Sequence, residues 1–464
     1  MAKKRLNKKI ALIGSVVFVF LVLGAILLFL YLSRDPEKFI KDGDAAVKAA
    51  REATDEQIKE QEYKRAERSY HKARVLAKTD SLKIEMLFKL VDMYMETDQW
   101  RNVIGCWNIV IQIDPKNIKA RFGRLKYVYI MADSTGGQVW QWQEIESQAS
   151  EFIGVVEGEG LLTEDTAKWD YPQMQETEAS MKRLGPYLYQ RRGRALLEIA
   201  RLGAVTDPNA SLSKAVDDLE KARELEPTNA DTYRYLAQAF IAKGEILASK
   251  GNLEERDESR KQATELLEQA VKVLGTDVSA RVSLLSMKLI LAQGGGKEQI
   301  QALEPEYLSL TEKFGSSAQT FSAVAGFYSM LGHKYLDRVI EAAEKAVELD
   351  KRNVTYAIDA ANFHYHRFSI YGQKPDIYRS VELTKNALTL PDAQDKPGPR
   401  EGANRMNRVS LYLLLANSVI EQVLEPCEVR TEAEKQKWLA DAEQVVHEIE
   451  QLFGSGEDPY VIKW

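Results

Sequence analysis

Between Ile84 and Asn117 the chain runs IEMLFKLVDMYMETDQWRNVIGCWNIVIQIDPKN, two short segments broken at Glu96-Thr97-Asp98-Gln99 and closed by Asp114-Pro115. In the first, Leu87, Leu90, Val91 and Tyr94 recur at steps of three, one and three. In the second, Val103, Trp107 and Val110 recur at four and three. Those steps put each set on one face of a 3.6-residue helix. Two helices this short cannot cover both stripes by themselves, so the rest of the chain has to supply neighbours that stack on them.

The stretch resembles one tetratricopeptide (TPR) repeat, a 34-residue helix-turn-helix unit, at Leu87, Leu90, Val91, Tyr94, Val103, Trp107, Val110 and Pro115. It departs from the family at Val91, Val103 and Val110, where Gly or Ala is usual. Similar stripes recur downstream. Ala215, Leu219, Ala222 and Pro227 repeat the second-helix pattern, and Tyr233, Leu236, Ala237 and Phe240 repeat the first. Gly244 falls on the family's turn glycine, yet Ala263, Leu267 and Ala270 arrive about fourteen residues late. Two helices lengthened by about two turns, with a turn at Gly251-Asn252, account for the delay. Ser317 to Asn353 carries Phe321, Val324, Ala325, Tyr328, Val339, Ala343 and Ala346, the clearest late repeat. Further pairs are expected over 118–156, 278–314, 354–390 and 404–453, about eight or nine in all. The resemblance implies an all-α fold, a TPR-like α-solenoid of helix-turn-helix pairs.

The N-terminus adds a different element. Ile10 to Leu32 is an uncharged run of 23 residues, long enough to cross a bilayer at about 1.5 Å per residue. It is too long for a signal-peptide core and lacks a small-x-small cleavage site, so an uncleaved single transmembrane helix is expected. Lys3, Lys4, Arg5, Lys8 and Lys9 precede it, which keeps the short tail cytoplasmic and sends the body across the membrane. Residues 1–34 hold six of the 63 Lys/Arg and none of the 69 Asp/Glu, leaving 57 basic against 69 acidic side chains in the remainder. An acidic exported body is a poor ligand for nucleic acid, and no nucleic-acid partner is expected.

The expected organisation is a basic tail (1–9), a transmembrane helix (10–32) and a charged juxtamembrane helix or linker (33–62). TPR-like pairs (63–156), an irregular insertion (157–184) and a TPR-like solenoid (185–453) follow. The linker segment alternates charge with alanine and also fits the first helix of an imperfect repeat. In the solenoid, Gly185-Pro186 opens a helix, and Ser211 or Ser213 is expected to cap the next. Residues 454–464 contain Asp458-Pro459, the start of a further helix, as though the natural chain continued.

No residues assemble into a catalytic pattern. Cys106 and Cys427 are too few and too far apart for a disulfide framework or a zinc site. His71, His333, His364, His366 and His447 are scattered, and the His364-Tyr365-His366 step points two rings to opposite sides of a helix. Gly294-Gly295-Gly296-Lys297 lacks the spacing of a phosphate loop. Asn209-Ala-Ser211 and Asn353-Val-Thr355 match a glycosylation acceptor at the frequency expected by chance. No enzyme activity, cofactor or metal is expected.

The resemblance implies a groove lined by first helices that holds a protein or peptide partner. Its groove positions fall on Glu85, Phe88, Asp92 and Met95; on Asp231, Arg234, Gln238 and Ile241; and on Gln319, Ser322 and Ser329. The basic clamp with which chaperone-binding members hold a terminal carboxylate is missing. Trp140, Trp142, Trp169 and Tyr171 form a second candidate surface, or a lid between repeats. The chain is similar to bacterial inner-membrane proteins with one N-terminal span and a periplasmic TPR body. That implies a membrane-anchored interaction scaffold in envelope assembly or secretion, bound to the bilayer through residues 10–32. The alternatives are an organelle-surface TPR receptor and the front half of a larger protein with a C-terminal catalytic or effector domain.

Overall fold

The computed structural model describes residues 35–174, 176, 181–293, 296–394 and 396–424, with isolated helical positions as far as 447. The expected membrane span (10–32), the second helix expected over 431–453, the tail 454–464, Cys427 and the first two glycines of the 294–296 turn lie outside these. Among the described residues all regular elements are helical, apart from one isolated bridge between Asp165 and Arg183. None of the described helices is long and apolar enough to cross a membrane.

The chain separates into two compact units that meet between Arg124 and Leu125. The first contains α1 (Pro36–Glu52), α2 (Glu56–Leu76), α3 (Asp80–Glu96) and α4 (Trp100–Ile113), and the start of α5 (Ile118–Thr135). Of the readings of 33–62 as a charged helix, a linker or the first helix of an imperfect repeat, the described residues form a helix, α1, packed on α2. Beneath its charges α1 carries Gly43, Ala46, Val47 and Ala50 at steps of three, one and three, and all four are buried. A Cβ at Gly43 would stand 2.5 Å from the Tyr70 ring, so only glycine lets α2 approach this closely. Asp35 and Asp55 cap the two helices by accepting from backbone N–H groups.

In α3 and α4 the opening stripes pack as their spacing requires. Leu87, Leu90, Val91, Val103, Trp107 and Val110 have no exposed surface. The turn between them places Asp98 at φ 55°, and the Thr97 hydroxyl donates to the Met93 carbonyl at 3.1 Å.

The second unit continues with α6 (Val139–Gly158), α7 (Leu184–Arg201), α8 (Pro208–Leu225), α9 (Ala230–Ser249) and α10 (Leu253–Leu274). Then come α11 (Val278–Gln293), α12 (Lys297–Gln301), α13 (Glu304–Phe314), α14 (Ala318–Leu331), α15 (Leu336–Leu349), α16 (Val354–Tyr371), α17 (Lys374–Leu388) and α18 (Glu401–Leu424). The long pair is α9 and α10, with Gly251 at φ 90° in the turn between them. Gly244 is therefore not a turn residue. It lies inside α9, buried where a Cβ would press on Ser259 of α10.

Other local expectations also change. Asp207, not a serine, caps α8, and Ser211 is turned inward to donate to the Leu196 carbonyl at 3.1 Å. Helix α7 begins at Leu184, one residue before Gly185-Pro186. Among the described residues the core of this unit includes three clusters, a small one around Val354, Ala387 and Leu411 and two larger ones. One gathers Leu197, Leu219, Tyr235, Leu236, Leu267 and their neighbours, the other Tyr307, Phe327, Tyr328, Val339 and theirs.

Candidate functional site

First helices α5, α7, α9, α11 and α14 each contribute to one groove of about 440 Å³ in the second unit. Its charged end is built from two linked arginines. Arg194 of α7 pairs with Asp133 of α5 at 2.6 Å and also donates to the Tyr129 hydroxyl. Its guanidinium lies 4.6 Å from the Tyr235 ring centre, 5.1 Å from Trp142 and 5.2 Å from Tyr129. Arg234 covers Tyr235 at 4.2 Å and donates to Asp231 through two nitrogens at 2.7 and 3.1 Å. Tyr235 is thus flanked by two guanidinium groups, each neutralised by its own aspartate. Cation–π contact and charge-assisted hydrogen bonds hold both side chains in place before any partner arrives.

The other end is neutral. Ser279 donates to the Gln319 side-chain carbonyl at 3.1 Å, and Gln238, Ser283 and Ser286 line the same space beside the exposed Ile290. Hydroxyl and amide groups both donate and accept, which suits main-chain amides of a bound polypeptide.

Of the residues singled out by their repeat positions, Asp231, Arg234, Gln238 and Gln319 line this groove. Ile241 is half-buried outside it and packs on the α9 core; Ser322 and Ser329 also lie outside the lining. In the first unit, Glu85 and Asp92 are exposed and Phe88 is half-buried under the Lys119 ammonium, 4.9 Å from its ring centre. Desolvation raises the Asp92 carboxyl even against the pull of Lys119, Arg51 and Lys89. Met95 does not face a groove: it is 4% exposed and belongs to the core.

The aromatic set, expected as a surface or a lid, divides between the two. Trp142 is 1% exposed and Tyr171 3%, Trp169 is half-buried, and only Trp140 is open, at 56%. Trp142 packs edge-on to Tyr129 with ring centres 6.3 Å apart. Gly137, at φ 62°, makes room for it, since a Cβ there would stand 2.2 Å from the indole nitrogen. Trp142 and Tyr129 thus pack beneath Arg194 at the charged end of the groove.

Residues missed in the sequence are Asp133, Tyr129, Arg191 and Arg194. Carrying the first-helix positions back from α9 to α5 and α7 would have reached Arg194. Nothing in the sequence marks Arg191, which has no exposed surface and is paired with Glu176 of the irregular insertion at 2.6 Å.

Elsewhere, His364 is buried between Asp376 (2.8 Å) and Glu344 (2.9 Å), and Arg379 grips Glu344 through two nitrogens at 2.6 and 2.7 Å. Arg379, more than His364, holds the Glu344 carboxyl down at about 2. The network ties α15, α16 and α17 together. His366 is exposed on the next face, beside His333. Among the described residues no group of three or more His, Cys, Asp or Glu could hold a metal ion. Burial pushes the Cys106 thiol up to about 11, which makes it unreactive at neutral pH.

No family model matches the chain, and no curated protein matches its sequence. Solved structures of helical arrays overlap with it weakly. A human IFIT1 dimer with m7Gppp-AAAA is 13% identical, with 80% of this chain and 71% of that one covered, at a TM-score of 0.31. YrrB, a TPR protein with an unusual peptide-binding site, is 16% identical over 42% of this chain and 89% of its own, at 0.22. Yeast Tom70 is 12% identical over 91% and 98%, at 0.19. Likenesses this weak assign no partner.

Proposed function

We propose that this chain is a membrane-anchored interaction scaffold that holds polypeptide partners on the first-helix face of its second unit. The observation that carries the reading is the groove itself, where five first helices bring fixed charges and neutral hydrogen-bonding groups together. The uncharged run from Ile10 to Leu32, with five basic residues before it, supports an anchor and a body outside the cytoplasm, in envelope assembly or secretion. We read the chain as a binding protein without catalysis, and its acidic balance disfavours nucleic acid as the ligand.

The test is site-specific photocrosslinking in intact membranes, with the crosslinker at Gln238 or Ser286 and, as a control, at exposed Glu258 of α10. A defined polypeptide should be captured from the groove positions and not from the control. It should be lost in Arg234→Ala and in a chain lacking residues 1–34. Capture of RNA, or the same products from all three positions, refutes the reading.

A further inference from the structure

His364 is 7% exposed and stands where two helix pairs meet, α14 with α15 and α16 with α17. Its Nδ1 faces the Asp376 carboxylate of α17 at 2.8 Å, and its Nε2 faces the Glu344 carboxylate of α15 at 2.9 Å. The charged groups around it are Asp337 and Glu344 on α15, Arg367 on α16, and Asp376 and Arg379 on α17. Arg367 holds Asp376 through two nitrogens at 2.6 and 2.8 Å and reaches Asp337 at 2.5 Å. Helix α18, packed on the same pair, meets it with the Ser418 hydroxyl and sets Glu421 toward Tyr365.

An ionised carboxylate only accepts hydrogen bonds, and a neutral imidazole donates from one nitrogen alone. Arg379 first and the ring second hold Glu344 at about 2. Burial works to raise Asp376, but hydrogen bonds from Arg367 and the ring carry it below its ordinary value. Both carboxyls are therefore ionised at neutral pH, and both ring nitrogens facing them must donate. The ring in this arrangement is the imidazolium. A ring that loses one proton keeps a single N–H. Asp376 is 2% exposed, whereas the Glu344 side chain keeps 29% of its surface and lines an open cleft of about 1220 Å³. Stranding a buried acceptor costs more than returning an exposed one to water. The remaining proton thus stays on Nδ1, and the bond that breaks is the one to Glu344, between the two pairs.

We propose that His364 makes the junction between the α14–α15 and α16–α17 pairs proton-dependent. With both nitrogens protonated, the ring ties Glu344 to Asp376 and the pairs are locked. As pH rises and Nε2 loses its proton, a lone pair faces the Glu344 carboxylate. The link breaks, and the junction is left to Arg379 and Arg367. In an array whose units are joined to their neighbours, weakening one interface frees the helices beyond it. The stability from this link is present at low pH and lost as pH rises, the opposite course to that of the Glu344 carboxyl.

The experiment uses the full chain in detergent micelles, with nitrogen-15 in its five histidines, and follows the ring resonances by NMR. Hydrogen exchange is measured on the same sample and corrected for the intrinsic pH dependence of exchange. From pH 6 to pH 9 the His364 ring should pass from two N–H groups to one, on Nδ1. With the same midpoint, protection of α16 and α17 should fall about tenfold while α9 and α10 keep theirs. In His364→Gln that pH dependence should vanish, although the exposed His333 and His366 still titrate. It should vanish too in Glu344→Gln, whose amide donates to the neutral ring. Four results each overturn the proposal: one protonated nitrogen across the whole range, both protons kept at pH 9, protection that does not follow the ring, or an unchanged pH dependence in His364→Gln. The first three are read on the unaltered chain and need no variant to fold.

Discussion

Trp107 shows how much a single repeat position carries. Its indole has no solvent contact and shares a fully buried helix face with Val103 and Val110. Trp107→Ala is expected to cost about 3–5 kcal/mol, because lost burial and a residual cavity add; urea denaturation followed in the first unit measures it. Gly137 is constrained differently, by a positive φ and by the indole of Trp142. Gly137→Ala is expected to lower the thermal midpoint, while Gly136→Ala, whose Cβ meets nothing, carries only the backbone strain at φ 76°. Glu344 sets a pH window. Its folded pKa of about 2 lies below the ordinary 4.5, so the stability it contributes is full above 4.5 and fades as pH falls toward 2. Melting curves of Glu344→Gln between those values should vary less with pH than those of the unaltered chain. At this scale the apolar steps in the sequence identified Leu87, Trp107 and Val110 correctly. The repeat positions implied by the resemblance misplaced Met95, and of the two readings of the aromatic set Trp142 and Tyr171 follow the lid, because a repeat position tells which face a residue is on, not what covers that face.

Among the elements, the irregular insertion is the least regular and is nonetheless held firmly. The Thr166 hydroxyl donates to the Met181 carbonyl at 2.7 Å, and the backbone N–H groups of Lys182 and Arg183 donate to Glu226. Its deepest tie is Glu176, which accepts a hydrogen bond from the Tyr187 hydroxyl at 2.9 Å and pairs with buried Arg191. Arg191 in turn stacks on Tyr129 at 3.7 Å. Removing one member of such a pair leaves a buried charge, whereas removing both does not. Glu176→Ala should therefore cost about 3 kcal/mol and speed tryptic cleavage at Lys168 and Lys182, and Glu176→Leu/Arg191→Leu should be less damaging on both counts. The sequence marked where the repeat pattern fails, at 157–184, since Gly, Pro and acids break the stripe. It could not show that the segment docks, because docking depends on Arg191 of α7 and on Glu226 just past α8, which lie outside the segment.

Within each unit the described helices touch chiefly their neighbours in sequence, so stability is local in the manner of a one-dimensional array. Damage should stay local too. Hydrogen exchange of Trp107→Ala should accelerate in α3 and α4 while α14 to α17 keep the protection of the unaltered chain. Uniform acceleration would mean that folding is cooperative over both units. What the sequence determined by itself is the helical class, the pairing, the lengthened α9–α10 hairpin and the apolar faces, because these follow from spacing, glycine and proline within a few dozen residues. Tertiary structure decided that the charged segment after residue 35 is a packed helix pair and that Arg191 is buried. It also decided that Asp133, Arg194, Arg234 and Gln319 share one groove. Those outcomes depend on which side chains meet across different elements, and a stripe of apolar residues specifies that a face is covered without specifying by what.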